Sequence, residues 1–135
     1  MRRLAYGLVL VLIGAFWAAG CASVATSTVL ERADGKWLFD APATTAINPA
    51  LMEELGAEAA AEVYMVINAQ THMLTFSHGD DDSFDTEFDI LSDDGQVLHL
   101  RMDARSLADI TINGDQLLLA NPQDSGYNMM FRRAR

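Results

Sequence analysis

The sequence predicts a mainly β (α+β) fold: an antiparallel meander curled into a small barrel or half-barrel, with one amphipathic helix after the first strand. Three observations carry that expectation. From His72 to Arg132, short runs of alternating apolar residues are separated by turn residues, among them Asp94-Gly95 and Asn113-Gly114, the pattern of successive hairpins. Upstream, Ile47, Leu51, Leu55, Ala59, Val63 and Val66 recur at helical rather than strand spacing. The chain has 135 residues, enough for a leader and one domain.

The leader comes first. Arg2 and Arg3 precede an apolar run, Leu4–Trp17, and small residues lead on to Cys21. That order is the build of a secretory signal peptide. The run is also shorter than the ~20 apolar residues a membrane helix needs. Cys21 is the single cysteine, so no intramolecular disulfide is available, and an unpaired thiol in an exported chain requires a role. Ala18-Ala19-Gly20-Cys21 resembles the lipobox of bacterial lipoproteins, with Ala18 where that family more often has a large aliphatic residue. The resemblance implies cleavage between Gly20 and Cys21 and lipidation of the Cys21 thiol by palmitate-type acyl chains. Ala22, where an Asp would retain the protein in the inner membrane, implies the outer membrane, facing the periplasm. Two readings compete: an incidental core cysteine, or an ordinary signal peptidase cutting slightly downstream.

The expected organisation is a signal peptide over 1–20, a lipidated cysteine and flexible tether over 21–33, and a domain over 34–135. The small, Ser/Thr-rich composition of Ala22–Ala33 suits a spacer. Charge narrows the partners. The chain holds 9 Lys+Arg against 19 Asp+Glu, a net charge of −10, and loses Arg2 and Arg3 with the leader. Phosphate contacts require clustered cations, so nucleic acid is not an expected partner. A polybasic grip on anionic lipid is equally ill served. Acyl chains then carry the membrane attachment, at ~0.8 kcal/mol per buried methylene and with more than one chain needed.

Gly35–Asp40 reads as the first strand, with Trp37 and Phe39 on one face. Ala41–Ala46, containing Pro42, is expected to break it. Asn48 then serves as N-cap and Pro49 as first helical residue, with Glu53 and Glu54 near the positive end of the dipole. The preferred reading continues this helix to about Asn68, with Glu54, Glu58 and Glu62 on its polar side. The β-branched run Val63–Ile67 leaves a strand open instead, turning through Asn68–Thr71 into Met73–Phe76.

Met73–Ser77 is a short strand and Gly79–Ser83 an acidic turn. Phe84–Leu91 and Gln96–Asp103 form a hairpin in which Phe84, Thr86, Phe88 and Ile90 share a face with Leu98, Leu100 and Met102. A loop of Asp93-Asp94-Gly95 pairs Ile90 with Leu98 and Phe88 with Leu100. Glu87 then faces Arg101, and Asp89 faces His99. The next hairpin, Ala108–Ile112 with Gln116–Ala120, turns on Asn113-Gly114 and pairs Ile110 with Leu117 and Ala108 with Leu119. Tyr127–Arg132 closes the meander, with Tyr127, Met129 and Phe131 inward.

Gly35-Lys36-Trp37 on the first strand and an arginine on the last, Arg132 or Arg133, resemble the lipocalin-like (calycin) families. The resemblance implies a barrel whose base is closed by the arginine lying across the tryptophan, a contact of ~0.5–2 kcal/mol. The short chain and the helix after strand one depart from that pattern. Small bacterial lipoproteins with this layout of Gly-x-Trp, helix, meander and final Phe-Arg are similar to it. Trp37, Phe39, Phe76, Phe84, Phe88 and Phe131 would line a cavity or fill the core.

Other chemistry is weakly signalled. Asp80-Asp81-Asp82 with Asp85 offers oxygens but lacks the glycine and glutamate spacing of a calcium loop. No two of His72, His78 and His99 stand at a short ligand spacing. Met102 and Met129 alternate with polar residues as core residues do. Ser77-His78 and Ser106 lie outside any recognisable nucleophile motif. No enzyme, cofactor or metal is therefore expected. The expected role is non-catalytic, a binding or structural one through an envelope protein partner; the alternative is a carrier of a small hydrophobic ligand.

Overall fold

The computed structural model describes residues 27–79, 82–103 and 106–135. The expected leader with Gly20 and Cys21, and Asp80 and Asp81 of the expected acidic turn, lie outside the described residues. A short helix, α1 (Val29–Ala33), leads into β1 (Gly35–Phe39). Three more helices follow, α2 (Ala41–Ile47), α3 (Pro49–Leu55) and α4 (Ala57–Ala60). Then come β2 (Val63–Asn68), β3 (Met73–His78), β4 (Ser83–Glu87), β5 (Asp89–Asp93), β6 (Leu98–Arg101), β7 (Leu107–Asn113), β8 (Gln116–Ala120) and β9 (Met129–Arg133).

All strand pairs are antiparallel, in the order β4-β3-β2-β1-β9-β8-β7-β6-β5. The two ends of that order are consecutive in the chain, separated only by Phe88. Ser83–Asp93 is thus one run that changes partner midway, from β3 to β6, and the sheet forms a nearly closed barrel. Phe88 makes the change: its N–H still donates to His72 O at 2.9 Å, in register with β3, while its side chain is buried. The interior takes alternate residues of each strand, as the pleat requires. Trp37, Met65, Ile67, Leu74, Leu98, Leu100, Ile110, Leu117 and Phe131 are all buried there.

The long helix expected over 48–68 is not formed. Asn48 does cap a helix start, its Oδ1 accepting from Leu51 N at 3.4 Å with Pro49 in the first turn. Gly56 then leaves helical geometry at φ +83°, a left-handed value an L side chain resists, and α3 stops. Val63–Asn68 is the strand that the β-branched run allowed. It lies between β1 and β3, with Trp37 opposite Met65 and Ile67 opposite Leu74. Asn68 Oδ1 accepts from Gln70 N and Thr71 N and makes the turn. Val63, Met65 and Ile67 satisfy a period of two, and only the partner strands on both sides decide it against the helical period. Ala41–Ala46 is not a simple break: Pro42 occupies the first turn of α2, and Asp40 caps it through Ala43 N at 3.1 Å.

Both expected hairpin registers are displaced, the second by two residues and the first by two up to Ile90 and by three beyond it. Ile90 faces Leu100 rather than Leu98, Asp89 faces Arg101, and a bulge lies between Ile90 and Ser92. Arg101 accordingly pairs with Asp89 at 3.2 Å, and His99 with Asp109 at 2.6 Å. The cause is Asp93, whose carboxylate is taken by Val29 N (3.1 Å), Leu30 N (3.0 Å) and Gly95 N (3.0 Å). Asp93 therefore ends the strand, and the turn lengthens to Asp94–Val97, where Asp94 accepts from Gln96 N and Val97 N. These amides hold the Asp94 carboxyl below the usual aspartate range. In the second hairpin Ile110 faces Leu119, Ile112 faces Leu117 and Asn113 faces Gln116. Gly114, at φ +63°, takes the first central position of the turn, as type II′ hairpins prefer, so Asn113 stays in the strand.

Two further expectations change at the edges of the domain. Tyr127 is not an inward strand residue: it sits in a 3-10 turn, Ser125–Tyr127, and is 60% exposed. Val29–Ala33 is helical rather than part of a flexible tether, and Val29 and Ala33 are fully buried.

Candidate binding site at the barrel mouth

The two ends of the barrel differ. At one, α1 acts as a plug. Its first amides are held by Asp93, the position where a carboxylate also complements the helix dipole. Its C-terminal end rests on β1 and β9: Trp37 Nε1 donates to Ala33 O at 2.8 Å and Arg133 Nη2 to Arg32 O at 2.7 Å. The Arg133 guanidinium lies 4.3 Å from the centre of the Trp37 ring. Of the two candidate arginines it is therefore Arg133 that covers the tryptophan, and Arg132 is exposed on the outer side of β9.

The opposite end is where β1, β3, β6 and β8 finish and β2, β4, β7 and β9 begin, as the antiparallel pairing dictates. Among the described residues no helix plugs its centre, and two apolar lobes open there, sharing Phe76 and Met129 as a common wall. One lobe, of about 410 Å³, is walled by Met102, Leu107, Ala108, Leu119 and Tyr127, with Ser106 and Asn121 as polar points. The other, of about 370 Å³, is walled by Leu55, Val63 and Phe84, with Ser77, His78 and Asp82 as its polar points.

The six aromatic candidates divide by depth. Trp37, Phe39, Phe88 and Phe131 are buried and fill the core. Phe76 is half-buried and links core to mouth, its ring centre 6.4 Å from that of Phe131 and 5.6 Å from that of Phe84. Phe84 is 60% exposed at the rim.

Compared with known families, curated proteins and solved structures, the chain finds no match. The reading of the site therefore rests on its own geometry.

The three histidines are not brought together. His72 stacks on Phe88 near the closed end (5.4 Å, 11°), His99 pairs with Asp109 on the wall, and His78 stands at the mouth. Among the described residues no group of three or more His, Cys, Asp or Glu could hold a metal ion. Ser77 Oγ donates to Gly79 O at 2.8 Å, which commits that hydroxyl to the backbone rather than to its neighbour His78. What the lobes offer is apolar contact with scattered polar points, the composition of a small-molecule site. Tyr127, Leu55 and Asp82 carry sequence signals of other kinds, an inward strand position, an apolar helix face and an acidic turn, and none of these marks a shared site. Met102 and Met129 had one, their alternation, but it pointed only inward.

Proposed function

We propose that the protein is a membrane-tethered envelope lipoprotein with a non-catalytic binding role, exercised by an apolar ligand at the barrel mouth. The observation that supports this is the pair of apolar lobes, each of ligand size, beside a filled core. The tether in this reading is the lipidated Cys21 on the outer membrane. It joins the domain through α1 at the plugged end, which leaves the opposite, open end free to face the periplasm. Binding without catalysis fits a lining of Leu, Val, Phe and Met side chains.

Protein contact is the second reading, and a specific observation favours it. Phe84 and Tyr127 are each 60% exposed at the rim, and exposed aromatics of this kind anchor protein interfaces.

Native mass spectrometry of Ala22–Arg135 taken from its own periplasm separates the two. A co-purifying mass of a few hundred daltons, lost on widening the wall with Phe76→Ala, is the expected result. An apo mass, with a photo-crosslinker at Tyr127 trapping a protein, would transfer the mouth to protein contact. The anchor has its own test. Labelled palmitate is expected to enter the wild-type chain in cells and not the Cys21→Ser variant.

A further inference from the structure

The second lobe has a charge preference. Among its described lining residues, Asp82 is the one carboxylate and no lysine or arginine is present. An anionic head group would need donors there; the Ser77 hydroxyl is already committed to Gly79 O at 2.8 Å, which leaves only the His78 ring, in the same lining as the Asp82 carboxylate. The chain as a whole carries a net charge of −10, so its overall potential opposes an approaching anion.

From this charge complementarity we infer that the mouth takes an amphiphilic amine: an apolar body in the lobe of Leu55, Val63, Phe76, Phe84 and Met129, and an ammonium at the Asp82 carboxylate. The inference rests on the mouth being a ligand site. Fatty acids and anionic lipids, the commonest apolar molecules of an envelope, are then the ligands it rejects. Asp82 is exposed, so it acts as a point charge at the rim that selects the head group, and the apolar wall supplies the affinity.

The test compares dodecylamine, dodecanol and dodecanoic acid, below their micelle concentrations and near neutral pH. Binding to Ala22–Arg135 is followed by calorimetry, after a cooperative thermal melt has shown the chain folded. Dodecylamine is expected to bind about tenfold more tightly than dodecanoic acid, and Asp82→Asn to remove that gap, with dodecanol giving the affinity of the apolar wall in each protein. Equal or tighter binding of the acid overturns the cation preference and leaves the ligand site intact. A preference for the amine that survives Asp82→Asn overturns the assignment to Asp82. If none of the three binds, the mouth is not a ligand site, and the reading beneath the inference falls with it.

Discussion

Trp37→Ala is expected to lower the stability of the barrel by about 3–5 kcal/mol, the range for emptying a large aromatic site in a core. The site cannot refill cheaply, because the side chain is fully buried and lies between the plug and the first and last strands. Three contacts leave with it: the Nε1 donation to Ala33 O, the Arg133 stack at 4.3 Å and the packing against Met65 on the neighbouring strand. Urea denaturation of wild type and variant gives the difference directly. Hydrogen exchange adds a local signature, since amides of α1 should lose protection before those of β7 and β8. Trp37→Phe separates the terms. It keeps a ring under Arg133 but leaves the Ala33 carbonyl without its donor, at a cost of about 1–3 kcal/mol. A loss of less than 1 kcal/mol for Trp37→Ala would mean that the plug does not depend on the tryptophan.

Phe88→Ala is expected to cost a similar amount, about 3–5 kcal/mol, but to act on closure rather than on the plug. Phe88 is 2% exposed and sits where the chain leaves β3 for β6. Its ring stacks on His72, which holds a left-handed φ of 54° and accepts the Phe88 N–H through its carbonyl. Without the ring, the one buried side chain at the partner change is gone, and both sheet edges lose their common anchor. Exchange should therefore rise first across Ser83–Asp93, with β1, β2 and β9 still protected. Phe88→Leu, which refills much of the volume, should recover most of the stability. Uniform loss of protection across all strands would show that closure at Phe88 is not a local event.

Much of this was visible in the chain. Gly35–Phe39 alternates cleanly and is a strand with Trp37 and Phe39 inward. The Asn48-Pro49 start is local chemistry, a side-chain acceptor followed by a residue with fixed φ, and it forms where the pair stands. The registers of both hairpins were not visible, for a reason contained in the pleat. A slip of two residues leaves side chains on their original faces, so apolar patterning cannot distinguish Ile90–Leu98 from Ile90–Leu100, and the bulge that then sets Asp93 opposite Leu98 has no apolar signal. Only the distant demand of α1 on the Asp93 carboxylate decides it.

The sequence by itself determined the meander, the inward face of its first strand and the acidic character of the chain, because each depends on composition or on neighbours within a few residues. Tertiary structure decided the rest. Val63–Asn68 is a strand because β1 and β3 both need a partner there. Phe84 and Phe88 share a face and a residue type, yet one is 60% exposed and the other 2%. Their depth depends on which end of the barrel α1 plugs and on where the chain changes partner, and those are contacts between residues far apart in sequence.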